Sequence, residues 1–133
     1  MSLQLITRVV AAGALTASIA SYIVSDLKGD YNVEFVVQES TYTGKAKTTA
    51  GAKGAFTAKF EFTAPSTVLA DVTGKTAGDS ISFDAKYEDP GRGCTGTLTG
   101  KGTVEKDGSK AAGKIDINDS CGGPLGGTFR LWR

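Results

Sequence analysis

The 133-residue chain contains no histidine, which removes the side chain most often used as a general base and as a metal ligand. Its formal net charge is only +1, and no long basic run is present, so the electrostatic footprint of a nucleic-acid-binding protein is missing. The strand pattern described below also lacks a pair of inward-facing carboxylates of the kind that a glycosidase needs. We therefore predict a protein that is not an enzyme, has no metal or cofactor, and does not bind nucleic acid.

Cysteine is scarce, and its placement is informative. The chain has two cysteines, Cys94 and Cys121, and each lies 13 residues from the nearer member of the pair Asp107-Gly108. Asp-Gly between alternating strands is a strong hairpin signal, and a hairpin without a bulge would place the two cysteines opposite each other. We predict a disulfide between them and, from it, an oxidising compartment.

The residues on either side of this turn support the same register. From Cys94 onward every second residue is apolar or small, and the residues between them are mainly threonine and lysine. The hairpin then pairs Leu98 with Ile117, and both side chains face inward. Asp119 is the only inward-facing acid in this assignment, and we expect it to accept hydrogen bonds from turn N–H groups at the rim.

The same alternation recurs upstream of the hairpin and at the end of the chain, in runs separated by glycine- and proline-rich turn signals such as Ala64-Pro65-Ser66 and Asp89-Pro90-Gly91. About eight short strands with one apolar face predict an all-β, up-and-down antiparallel barrel, with a β-sandwich as the alternative. A barrel of this size is either filled by side chains or holds one small ligand, and we favour a filled core. The inward-facing aromatic residues are Phe35, Phe56, Phe60, Phe62, Phe83, Tyr87 and Phe129.

The start of the chain is different in character. We divide the chain into an N-terminal apolar helix at residues 1–28 and a barrel domain at residues 29–133. Residues 9–24 carry no charge, although this run is shorter than a typical membrane span of about 20 residues. The segment is either a secretory signal cleaved before Ser21 or a retained membrane helix, which we favour. Both interpretations place the barrel on the exoplasmic or periplasmic side. The candidate membrane-segment residues are Val9, Val10, Leu15, Ile19, Ile23 and Val24.

The meander of short strands rich in glycine and threonine, from about Asp30 to Arg133, resembles small bacterial envelope barrels with a lipocalin-like or avidin-like layout. Those families carry a tryptophan in the first strand, whereas the single tryptophan here is Trp132, so no ligand residues are carried over. The apolar N-terminus followed by a small β-domain is also similar to extrinsic accessory subunits of bacterial membrane complexes. The extrinsic polypeptides of photosynthetic reaction centres are one example.

These features favour a non-enzymatic, membrane-associated extrinsic accessory subunit that braces a membrane protein complex, for example an energy-transducing one such as a photosynthetic reaction centre. Tryptophan and arginine are frequent at the centres of protein interfaces. The candidate partner contacts are Leu69, Arg92, Arg130, Trp132 and Arg133. The alternative is a soluble periplasmic or secreted carrier of a small apolar ligand, which the inward aromatic and glycine residues favour.

Overall fold

The computed structural model describes residues 26–133, which form eight antiparallel strands closed into a barrel. Each strand pairs with the next along the chain, and the last pairs with the first. The predicted barrel is confirmed, and the sandwich alternative is wrong. The strands are β1 (Gly29–Val37), β2 (Ser40–Ala50), β3 (Ala55–Ala64), β4 (Val68–Ala77), β5 (Ser80–Asp89), β6 (Cys94–Val104), β7 (Lys110–Asp119) and β8 (Gly123–Trp132).

The predicted apolar helix at residues 1–28 lies outside the described residues over positions 1–25, which include all its membrane-segment residues. Residues 26–28 are described and are not helical. Across residues 26–133, no helix has the length and apolar character that crossing a membrane requires.

Alternation along each strand fills the barrel interior with apolar side chains, as in the β5 pattern where Ile81, Phe83 and Ala85 are buried and their neighbours are exposed. Six of the seven aromatic residues predicted to face inward are buried, and the seventh, Tyr87, is half-buried. Phe35 and Phe62 have ring centroids 4.8 Å apart, and Phe83 meets Phe129 edge-on at 4.9 Å. The middle of the barrel is therefore a packed core, as expected.

Inward-facing glycines make room for these rings. Phe83 lies opposite Gly100, and Tyr87 lies opposite Gly96, on the paired strands β5 and β6. A Cβ atom added at either glycine would overlap the ring of its partner. Phe83 and Tyr87 thus each lie over a glycine on the neighbouring strand, which lets a small barrel hold these rings.

The hairpin of β6 and β7 adopts the register that the cysteine spacing predicted. Leu98 lies opposite Ile117, and the pairing runs without interruption from Gly96–Asp119 to Val104–Ala111. Beyond the ladder, Cys94 and Cys121 form the predicted disulfide, with Cα atoms 5.8 Å apart.

The connections between strands define two ends of the barrel. The closed end contains residues 51–54, 78–79 and 105–109, together with residues 26–28, which lead into β1. Leu27 is only 1 % exposed there, so the chain closes this end just before the first strand begins. The open end contains residues 38–39, 65–67, 90–93 and 120–122, and the disulfide lies at this end.

Candidate functional site

A pocket of about 80 Å³ lies at the open end of the barrel. Its walls are mainly apolar and include Phe35, Phe62, Val68, Ala70, Leu98 and Ile117. Its polar lining comes from Tyr87, Asp89, Arg92 and Asp119, which we call the open-end cluster. A larger depression of about 770 Å³ lies along β3 to β6, flanked by the exposed side chains of Lys59, Asp71 and Lys86. We regard the smaller pocket as the candidate site because only there do buried charged groups meet an apolar wall.

Asp119, the last residue of β7, is held by several donors. Its Oδ1 accepts hydrogen bonds from the backbone N–H groups of Cys121 and Gly122, both at 2.8 Å. Its Oδ2 accepts a hydrogen bond from the Tyr87 hydroxyl. The expectation that Asp119 would accept turn N–H groups at the rim is therefore confirmed.

The hydrogen bond from Tyr87 and those from the two backbone N–H groups hold the pKa of Asp119 below its usual value, and Arg92 adds to this effect. Burial raises the pKa of the Tyr87 phenol above its usual range, and its hydrogen bond to Asp119 raises it further. At neutral pH the pair therefore consists of a carboxylate that accepts and a phenol that donates.

The prediction that Asp89 lies in a turn, with Asp119 as the only inward-facing acid, is wrong. Asp89 is the last residue of β5, opposite Cys94, and is 3 % exposed. The inward-facing positions Ile81, Phe83, Ala85 and Tyr87 alternate along β5, and the same alternation places residue 89 inward. Continuing the alternation by one more step would therefore have identified Asp89. The Asp-Pro-Gly turn signal hid it, because a strand can extend to the first residue of such a turn.

Arg92 lies between the two carboxylates. Its Nε donates to Asp89 Oδ2 at 2.8 Å, and its Nη2 lies 3.3 Å from Asp119 Oδ2. Desolvation lowers the pKa of Arg92, but the combined attraction of Asp119 and Asp89 outweighs it and raises the pKa. The predicted partner contact is thus half-exposed and already engaged in two ion pairs.

The second carboxylate oxygen of Asp89 differs from the rest of the open-end cluster. Asp89 Oδ1 is fully buried, and no group in residues 26–133 donates a hydrogen bond to it. Two carboxylates and one guanidinium also give the cluster a formal charge of −1. The arrangement can therefore accept one more donor, and a positively charged one would balance the charge.

The other predicted contact residues lie elsewhere. Arg130 stacks over the half-buried Trp132 at 4.6 Å and makes a two-pronged ion pair with Glu34 on β1. Arg133 stacks over Tyr31 at 4.5 Å. These three predicted contacts lie toward the closed end. Leu69 lies on the outside of β4 and is 43 % exposed, which makes it the exposed large apolar side chain of residues 26–133.

Residues 26–133 contain one group with the spacing of metal ligands, formed by Cys94, Asp119 and Cys121. The two sulfur atoms are bonded to each other in the disulfide, so they are not thiolate ligands. Asp119 itself is committed to the hydrogen bonds described above.

Comparison with solved structures places the chain among small closed β-barrels. EF1p2_mFAP2b, solved bound to DFHBI, is similar in fold with a TM-score of 0.62 at 13 % identity, over 80 % of this chain and 93 % of that one. The redesigned β-barrel b11L5F_LGL gives a TM-score of 0.59 at 18 % identity, over 80 % of this chain and 90 % of that one. At these identities the likeness shows the fold alone. No family model matches the chain, and no curated protein matches it. The resemblance to bacterial envelope barrels stays a prediction.

Proposed function

We propose that the protein is a non-enzymatic binding protein that holds a small, mainly apolar ligand in the open end of its barrel. The observation that carries this proposal is the open-end pocket, where apolar walls meet a few convergent polar groups, the usual composition of a small-molecule site. The similar barrel EF1p2_mFAP2b was solved bound to DFHBI, which supports the view that a barrel of this architecture can hold a small ligand. The disulfide supports a location in the periplasm or outside the cell.

The size of the pocket limits the ligand. Its volume of about 80 Å³ is roughly half that of a ~150 Å³ cavity that binds benzene. A packed aromatic core lies below it, so the ligand cannot pass through the barrel. The pocket therefore fits a short alkyl group, or one end of a longer molecule whose remainder extends out of the open end.

Native mass spectrometry of the protein purified from its own source tests this proposal. We expect a reproducible excess over the mass of the chain, which disappears after extraction with organic solvent. Ala70→Leu fills the pocket from its wall and should abolish the excess, whereas Ala112→Leu, on the exposed outer face of β7, should retain it. A wild-type protein that carries no molecule beyond its own mass would contradict the proposal.

As a second candidate we propose the membrane-associated extrinsic accessory subunit, which one specific observation favours. Residues 26–28, which join the preceding apolar segment to the barrel, lie at the same end as Arg130, Trp132 and Arg133. Tryptophan and arginine are common where a protein meets a membrane surface or a membrane partner. In this arrangement the open end would face away from the membrane, so the two functions are compatible.

Intact mass and membrane fractionation test this second candidate. A retained chain beginning at residue 1 or 2, resistant to alkaline carbonate and co-purifying with a membrane complex, is the expected result. Trp132→Ala should weaken the co-purification, and Lys101→Ala, an exposed change on the outside of β6, should not. A soluble monomer that begins at Ser21 and has no partner would contradict it.

A further inference from the structure

We propose that the open-end pocket selects a small aliphatic amine in its positively charged form, with the ammonium group donating to Asp89 Oδ1 and the alkyl group lying against the apolar wall. This inference rests on the proposed function of the pocket and names the chemical class of its ligand. It starts from Asp89, a pocket-lining residue that is 97 % buried and has one carboxylate oxygen without a donor in the described part of the chain.

A buried carboxylate oxygen without a donor is costly, because the protein removes it from water and gives nothing in exchange. The other oxygens of the open-end cluster all have partners. Asp89 Oδ2 is paired with Arg92, and both oxygens of Asp119 accept hydrogen bonds. The cluster is therefore complete except at one atom, and a ligand donor at that atom would complete it.

Charge decides which donor fits best. The connections at the open end contain two charged residues, Arg92, which is already counted in the cluster, and Glu39, which adds one more negative charge. Asp89, Asp119 and Glu39 thus outnumber Arg92, and the open end has an excess of negative charge. A cation gains from this excess, a neutral alcohol gains only a hydrogen bond, and a carboxylate is repelled.

The apolar walls of the pocket determine the size and character of the ligand's alkyl group. Phe62, Val68 and Leu98 present apolar surface beside the open-end cluster, and the aromatic side chains of Tyr42 and Phe35 also line the pocket. Aromatic rings favour a nearby ammonium group as well as an alkyl chain. A volume near half that of a benzene-binding cavity encloses roughly three heavy atoms, so a probe with about four carbon atoms fills the pocket and leaves its remaining atoms at the mouth of the open end.

The test uses three probes of equal length on the ¹⁵N-labelled full chain at neutral pH: n-butylamine, 1-butanol and sodium butanoate. Amide chemical shifts of residues lining the open end report binding. We expect n-butylamine to bind roughly tenfold more tightly than 1-butanol, because its ammonium group adds the attraction between opposite charges to the hydrogen bond that both probes can donate to the carboxylate. Butanoate should bind most weakly.

Two variants locate the effect. Asp89→Asn should reduce the affinity for n-butylamine to that for 1-butanol, whereas Asp71→Asn, an exposed acid on the outside of β4, should leave it unchanged. If Asp89→Asn does not fold, the ranking of the three probes on the wild-type protein still decides the question.

The outcomes separate this inference from the proposed function. Equal binding of the three probes, or tighter binding of 1-butanol, would leave an apolar binding pocket but overturn its selectivity for amines. Failure of all three to shift the open-end amides would overturn both the inference and the proposed function.

Discussion

The two ends of the barrel treat their buried polar groups differently. At the closed end, Thr48 and Thr76 donate to backbone carbonyl groups, and the Tyr31 hydroxyl donates to Gly108 and accepts from Arg133, both at 2.6 Å. At the open end, two buried carboxylates share one arginine, and one of their oxygens has no donor in the described residues.

This difference separates what stabilises the fold from what is available for binding. Native proteins satisfy nearly all their buried polar groups, so an exception calls for an explanation. The closed end needs none, because the hydroxyl groups of Tyr31, Thr48 and Thr76 are hydrogen-bonded there, near the buried side chain of Leu27. The exception at the open end coincides with the pocket, which is why we assign binding to that end.

The largest expected effect is at the closed end. Leu27→Ala removes a side chain that is 1 % exposed, and should lower the free energy of unfolding by about 3 kcal/mol. Urea denaturation measures it, with exposed Lys28→Ala as the control. The affinity for n-butylamine should not change. If Leu27→Ala weakened amine binding and left the free energy of unfolding unchanged, the assignment of stability to the closed end and of binding to the open end would be wrong.

The next effect is at the open end. Asp119→Ala leaves the Tyr87 hydroxyl and two backbone N–H groups without their acceptor, and should cost about 2 to 3 kcal/mol. We place it below the value for a fully buried ion pair because Arg92 is half-exposed. Asp116→Ala, on the exposed face of the same strand, should change stability by less than about 0.5 kcal/mol. Equal urea midpoints for the two variants would mean that the open-end cluster adds no stability.

Packing beneath the open-end cluster gives a third test. Gly96→Ala would place a Cβ atom against both the Tyr87 ring and the backbone carbonyl oxygen of Asn118, so the ring must move, and it should cost about 1 to 2 kcal/mol. It should also weaken amine binding, because Tyr87 positions Asp119. Gly126→Ala is the matched control, since a Cβ atom there meets nothing within 4 Å. Indistinguishable behaviour of the two variants would show that Tyr87 can move without consequence.

The smallest effect concerns pH. Asp119 has a lowered pKa in the folded protein, so its stabilising contribution is present above the ordinary carboxyl pKa of about 3.9 and is lost as the pH falls below it. Tyr87→Phe removes the main cause and should cost about 1 kcal/mol at neutral pH. The difference in the free energy of unfolding between Tyr87→Phe and the wild-type protein should shrink as the pH falls below about 4. A difference that stays constant with pH, or one that Tyr42→Phe reproduces, would contradict the role of Tyr87.

The fold was largely predictable because alternation, turn residues and cysteine spacing agreed. The strand pairing around Leu98 and Ile117 follows from the position of Asp107-Gly108 alone. The open-end cluster was not predictable in the same way. Asp89 was assigned to the turn because it directly precedes Pro90-Gly91. Arg92 was expected on the surface, because the inward–outward alternation of a strand does not continue through a connection. A side chain in a connection is placed by the partners it finds across the barrel end, and only the closed structure brings Asp89 and Asp119 together around Arg92.

The assignment of binding to the open end is tested most directly by intermolecular nuclear Overhauser effects between n-butylamine and the methyl groups of the protein. The account predicts contacts from the butyl chain to Val68, Leu98 and Ile117, which line the open-end pocket. Contacts to Leu27, Val104 or Leu131, or to the exposed Leu69 alone, would contradict it.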